Sequence, residues 1–430
     1  MFRRVLISSS WSLFEIMHVG TTIQKFFGLL PDEAQLAQAP PAERAFTNLH
    51  IHLPPNFGSI RSIEEAIQHA AAEKIVVLGS SNYYDHSIYT PFAEAALQAG
   101  IVPVFGIEVL TMDEELRDAG TLVNDPKNPG KFYLCGKGLT AFDAIDEDAL
   151  PIWNTIRQGD RCRIEAMIAA LNAVETLQDR NICLRYDAVA QKIAEEKQLP
   201  AATVFLQERH LAQALQSAIF ECVTPAERRK FLQRLYQTEG EFETEQLVTV
   251  QNELRTHLLK QGKAAYVEEA YISPDEAARL IAGLGGYVSY PILIDGAATI
   301  SPFEGPPEAL VEHLLERQIG AVEFIPTRND IAILSGYVKV LLDEGFVIGS
   351  GTEHNDAVWL PLLPACRQKT PLTPELLEVF WKGACVAVAH QYLGAKGQSG
   401  FHFLADRAER IAQIERLSQL GAKVIGALKN

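Results

Sequence analysis

The chain has 430 residues, more than one average domain and suited to one elaborated barrel or to two or three domains. Apolar residues make up 47% and charged residues 21%, which excludes a disordered or low-complexity chain. The net charge of −16 repels phosphate backbones and disfavours a nucleic-acid partner.

The predicted elements begin after an extension over 1–45, which closes on Ala39-Pro40-Pro41-Ala42. Met1-Phe2-Arg3-Arg4 and Val5-Leu6-Ile7 weakly suggest a secretion signal, but the apolar run stops at Ser8-Ser9-Ser10. No stretch has the length to cross a bilayer, so the expectation is a cytoplasmic protein without membrane contact. Strands are expected at 46–52, 75–79 and 101–109, with helices at 62–73 and 90–99 between them. This alternation predicts parallel βα units over the segment 46–140. Residues 141–280 read as a helical insertion, with stretches near 160–178, 182–197, 202–218, 225–238 and 243–262. Strand–helix alternation returns over 281–430: strands at 286–290, 320–325 and 346–349, helices at 306–317, 328–343, 373–388 and 403–427. The fold expected is an α/β, TIM-like barrel of seven or eight units carrying a large all-helical insertion. A doubly wound open sheet is the alternative.

In a barrel, chemistry belongs at the C-terminal ends of strands. His50 and His52 close the first strand, and alternation puts both imidazoles on one face, able to converge on one cation. Glu108 closes the third predicted strand, where a buried carboxylate needs a cation or a salt bridge. The last strand runs into Gly349-Ser350-Gly351-Thr352-Glu353-His354-Asn355-Asp356, where Glu353 or His354 could complete a ligand set and Asn355 or Asp356 could cap a helix. Such a set suits one divalent ion with a position open for water. The six cysteines have no close-pair metal spacing and read as reduced thiols, with Cys135 an inert strand residue. His18, His69, His257, His313, His390 and His402 fall away from strand ends.

These positions resemble the polymerase-and-histidinol-phosphatase superfamily over roughly 46–140 and 280–360. Asn48-Leu49-His50-Ile51-His52 is similar to its opening motif, Phe105-Gly106-Ile107-Glu108-Val109 to its Gly-Ile-Glu strand, and Gly351-Thr352-Glu353-His354 to its closing motif. The resemblance implies a distorted (β/α)7 barrel and a metal-dependent phosphoesterase. It assigns His50, His52, Glu108 and Glu353 to one metal site. The other two metal sites of the family lack their histidines: Ser81-Asn82-Tyr83, Tyr133, Tyr290-Pro291 and Asn355 stand at those positions. One Zn²⁺ or Mn²⁺ ion per chain, with Fe²⁺ also suitable, is therefore expected.

One ion clamps a phosphate less well than three, so cationic side chains should compensate. Lys137 between two glycines, Arg328 after the 320–325 strand, and Arg209-His210 in the insertion are the candidates, each equally readable as a solvated charge or packed residue. Tyr290 could donate to a substrate oxygen. Asp85, His86 and His354 are candidates for acid–base work. The leading expectation is a metal-dependent hydrolase acting on a small phosphoester. A mononuclear amidohydrolase or uronate-isomerase-like enzyme is one alternative, and a degenerate, non-catalytic barrel another. The oligomeric state stays open, since apolar helix faces of the insertion could be core or interface.

Overall fold

The computed structural model describes residues 21–429. The Met1–Ile7 run and His18 lie outside them. Seven strands form one sheet: β1 (Phe46–Ile51), β2 (Ile75–Tyr83), β3 (Val102–Met112), β4 (Lys131–Lys137), β5 (Tyr287–Ile292), β6 (Ala321–Phe324) and β7 (Val347–Ser350). Their spatial order is their chain order. A doubly wound sheet reorders its strands about a switch point, so that alternative is excluded. Just past β7, Glu353 bridges in parallel to Ile51 of β1 and nearly closes the sheet into a barrel.

β1–β2–β3 and β5–β6–β7 are parallel, as helix-length connections require. The exception is β4, which runs antiparallel to both β3 and β5. Between β3 and β4 the chain forms only the short helix Glu114–Asp118 and turns back, with the Asp113 amide donating to the Gly130 carbonyl at 2.9 Å. Gly130 takes a φ of +72°, and a Cβ there would stand 2.4 Å from the Asp113 carbonyl oxygen, so this turn needs glycine. The reversal exposes what strand–helix alternation cannot encode, the direction of a strand reached without a crossover.

The segment 141–280 is helical, with its longest helix, Leu150–Asn172, starting ten residues before the expected 160 because Pro151 serves as a first-turn residue. Further helices are Tyr186–Lys197, Glu208–Cys222, Pro225–Tyr236 and Leu247–Leu254. They bury an apolar core of their own, including Ile164, Met167, Leu215, Leu232 and Val250. Ile156, two turns upstream on the same Leu150–Asn172 helix, belongs to the barrel core. Two long helices, Pro374–Ala395 and Arg407–Lys429, pack together at the end of the chain, the first against β7 and β1. Among the described residues no helix is long and apolar enough to cross a membrane.

Candidate metal centre

His50 on β1 and His52, one residue past its end, are both buried. Each ring is held from behind. His50 Nδ1 lies 3.0 Å from Glu323 Oε1, and His52 Nδ1 lies 3.1 Å from Asn56 Oδ1. Both partners are acceptors there, because Asn56 Oδ1 also receives the Tyr83 amide at 2.6 Å while Asn56 Nδ2 donates to the Tyr83 carbonyl. Both Nδ1 atoms therefore carry the proton, and both Nε2 atoms present lone pairs.

Those lone pairs meet. His50 Nε2 is 3.3 Å from His52 Nε2, and Glu108 Oε2 stands 3.6 Å and 3.1 Å from the two nitrogens. Glu108 Oε2 is buried without a hydrogen-bond partner. Three acceptors this close repel unless a cation joins them. A tetrahedral ion with donors at about 2.0–2.1 Å separates them by roughly 3.3 Å, so the triangle fits a divalent metal. The electrostatics agree. Burial, the largest influence, and Lys137 oppose charge on His50, yet Glu323 and Glu108 together outweigh them and raise the imidazole to about 9. Burial likewise opposes charge on Glu108, but the adjacent His50 and His52 hold it far below the usual carboxylate range. A metal-free site thus draws in a proton where a metal would sit.

Glu108 does not end its strand as the sequence suggested. β3 continues to Met112, and Glu108 sits mid-strand opposite Cys135 of β4. The barrel wall is taller on this side because β4 pairs along the full extension.

Glu353 falls elsewhere than expected. Its carboxylate pairs closely with Arg328 and is absent from the His50–His52–Glu108 cluster. Its backbone explains the placement. Glu353 and His354 take left-handed φ values of +66° and +64°, an uncommon conformation for such residues. The turn is pinned by the Glu353 amide donating to the His50 carbonyl at 2.8 Å, and by the His52 amide donating to the Glu353 carbonyl at 2.8 Å. The Glu353 carboxylate, Arg328, His50 and Glu108 nonetheless line one cavity of about 380 Å³.

Several expected roles are corrected by position. Lys137 does not lie in a loop by the mouth. It ends the reversed β4, so its side chain enters the barrel below the histidines and is buried. Its ammonium lies 2.6 Å from Glu323 and donates to the Leu49 carbonyl at 2.9 Å and to Ser81 Oγ at 2.6 Å, leaving no proton for a substrate. The cluster of His50, Cys135 and Glu323 has metal-ligand types, but this ammonium already supplies its cation. Tyr290 faces out of the barrel, where its hydroxyl donates to Glu304 at 2.9 Å.

His354 is buried with both nitrogens engaged, Nδ1 with Thr352 Oγ1 at 3.0 Å and Nε2 donating to the Leu360 carbonyl at 2.8 Å. Asp85 is buried among Ser87, Asn82 and Arg157. His86 packs on Trp153 at 4.8 Å. Neither lines the cavities at the metal centre. His210 accepts the Gln207 amide at 2.9 Å and caps its own helix. Arg209, by contrast, does face the mouth. It lies over the Phe57 ring and 3.4 Å from Asp356, on the wall of a cavity of about 490 Å³ that reaches His52 and Glu108.

Sequence reasoning missed Glu323 and Asn56. Glu323 had a signal: it is a carboxylate inside the apolar stretch Val322-Glu323-Phe324, the same pattern that drew attention to Glu108. Burial opposes its charge, but Lys137 and His50 outweigh it and hold the carboxyl at about 2. Asn48, where the resembling motif usually has Asp, donates through Nδ2 to Thr352 Oγ1 and the Leu362 carbonyl and so ties the closing loop down.

No family model and no curated protein matches this sequence. Similar solved structures exist. A proposed metal-dependent phosphoesterase from Bifidobacterium adolescentis is similar at a TM-score of 0.51 and 13% identity, over 79% of this chain and 96% of that one. An amidohydrolase from Chromobacterium violaceum, with bound sulfate and no metal, is similar at a TM-score of 0.48 and 18% identity, over 78% of this chain and 97% of that one. At this identity the first likeness is one of fold: a mostly parallel, nearly closed seven-stranded barrel with many helices.

Proposed function

We propose that the chain is a metal-dependent hydrolase of the polymerase-and-histidinol-phosphatase type, acting on a small phosphoester. The observation that carries this is the convergence of His50 Nε2, His52 Nε2 and Glu108 Oε2, three buried ligand atoms within 3.6 Å of one another, with each Nδ1 held by an acceptor from behind. These residues would hold one Zn²⁺ or Mn²⁺, with Fe²⁺ also suited to the donor set. A divalent ion bound there supplies Lewis acidity and a nucleophile from water near neutral pH.

The protein's own groups do the rest. Glu323 and Asn56 fix the tautomer and orientation of the two imidazoles. Arg328 and Arg209 bring guanidinium groups to the two cavity walls, where an anionic ester is to be oriented. Domain limits at 46, 141 and 281 belong to the same proposal, and the separate apolar core of the helical segment supports them. We also propose a cytoplasmic location, which six free cysteines support.

The test is metal content per chain by mass spectrometry, on protein purified without chelator or nickel. The expected value is about one ion, lost in His50→Ala, because two remaining donors make a weak site. A metal-free protein that takes up neither Zn²⁺ nor Mn²⁺ would sink the proposal.

A further inference from the structure

The larger cavity runs from the metal centre up to the helical segment, and five carboxylates lie on its wall: Glu108, Asp125, Asp160, Glu208 and Glu269. Four are engaged. Glu108 lies against the two histidines. Asp125 accepts the amides of Lys127 and Asn128. Glu208 is 2.9 Å from both Arg255 and Lys260, and Glu269 is 2.5 Å from Lys131. Asp160 differs. It accepts no hydrogen bond among the described residues, and its ion pair with Arg163 is long, 3.8 Å. It is nevertheless only 9% exposed. A carboxylate with only a narrow opening to the cavity and no donor is costly to hold in its charged form.

We propose that Asp160, carried over the barrel mouth by the Leu150–Asn172 helix, is the general acid that protonates the leaving group. This rests on the hydrolase reading above. Asp160 shares this cavity with His52 and Glu108 and with Tyr83 of β2, which interacts with Asp160 and pairs in register with Glu108 on β3. In the step, the oxygen of water bonds to phosphorus, and the bond from phosphorus to the leaving oxygen breaks. The leaving oxygen keeps the electron pair and takes the proton from Asp160 Oδ. The attacking water gives its proton to solvent, and Asp160 is reprotonated from solvent. The substrate class follows. An alkyl phosphoester, whose alkoxide is a poor leaving group, gains most from such an acid; an aryl phosphoester gains little.

The surroundings bring this carboxyl's titration up to near neutrality. Burial pushes Asp160 up to about 7, Arg163 and Arg157 on its own helix restrain the rise, and Glu269 adds to it. Tyr83 at the end of β2, Tyr84 just after it and Tyr186 of the neighbouring helix also interact with it. As an acid it acts protonated, so the rate falls as pH rises through its pKa.

The experiment has two arms on the full chain. Infrared difference spectroscopy of metal-free protein between pH 5 and 9 is expected to show carboxyl titration near neutrality that loses one group's intensity in Asp160→Asn, the rest belonging to Glu304 and Asp85. With Mn²⁺ added, glycerol 2-phosphate and 4-nitrophenyl phosphate are compared. Asp160→Asn is expected to lower the alkyl-ester rate by about 100-fold or more, and the aryl-ester rate by at least tenfold less. The alkaline fall in the alkyl-ester rate should vanish with it, whereas Asp160→Glu keeps that fall. Equal losses on both esters, in a variant that melts with the wild type, would overturn the inference. So would near-neutral carboxyl intensity left unchanged by Asp160→Asn, since Glu304 and Asp85, raised by burial to about 7 and about 6, account only for the remainder. Wild-type protein that shows the Asp160 intensity but hydrolyses neither ester would overturn the phosphoester reading, and the acid role with it, which separates that failure from the failure of Asp160 alone.

Discussion

Replacing Lys137 by Met separates two views of this residue. If the ammonium binds substrate, the change weakens substrate binding and leaves the fold alone. The structure demands the reverse. Lys137 lies 2.6 Å from Glu323 with both side chains almost fully buried, and Met removes the charge while keeping the length of the stem. Glu323 then stays as a carboxylate deep in the barrel. Breaking a buried pair from one side costs about 3–5 kcal/mol, because the remaining charge is uncompensated. Of a typical domain stability of about 5–15 kcal/mol, that is a large share. Urea unfolding followed by tryptophan fluorescence reads it directly. The double variant Lys137→Met/Glu323→Gln leaves no charge stranded and is expected to recover most of the loss. It should still bind metal roughly 10- to 100-fold more weakly, since His50 loses the carboxylate behind it. A Lys137→Met loss below about 1 kcal/mol, or a double variant no more stable than the single one, would refute the reasoning.

Other outcomes follow from the same geometry. Gly351→Ala would place a Cβ 2.3 Å from His50 Cβ, so it should displace that imidazole and lower metal affinity, read by chelator competition. Arg328→Gln frees the Glu353 carboxylate; if Glu353 is a fourth ligand, metal affinity should rise by up to about fivefold, the worth of a half-exposed ion pair, and unchanged affinity would remove Glu353 from the ligand set. His210 is buried neutral, its pKa depressed to about 3 by burial first and by Lys197 second. The unfolded chain therefore binds the extra proton below about pH 6.5, and stability falls as pH drops. The expected loss at pH 5 relative to neutral pH is about 2 kcal/mol from this group, and His210→Gln should flatten that slope.

The sequence carried the barrel because apolar strands alternate with capped helices, and it carried the two histidines because alternation along one strand is a local property. Glu108 was legible as a misplaced charge, although its strand proved longer. What stayed hidden was long-range. Which wall Lys137 faces depends on the reversal of β4, and no residue near Lys137 announces it. Tyr290 points outward because of the β5 pleat, whose phase is set by pairing with β4 and β6. Glu353 lies with Arg328 through a turn in a conformation that its residue type does not favour. Asp160 resembles any polar position on a helix until the barrel is placed beneath it.

The helix Leu150–Asn172 anchors one end in each of two apolar cores. The chain therefore leaves the barrel along a rigid rod and comes home through the irregular stretch 266–270, where residues 268 and 270 are exposed. A protease meets hydrogen-bonded helix on the outward crossing and accessible backbone on the return. Limited digestion should therefore nick only the return crossing. The two fragments would stay clasped, because the outward helix still holds the far core to the near one.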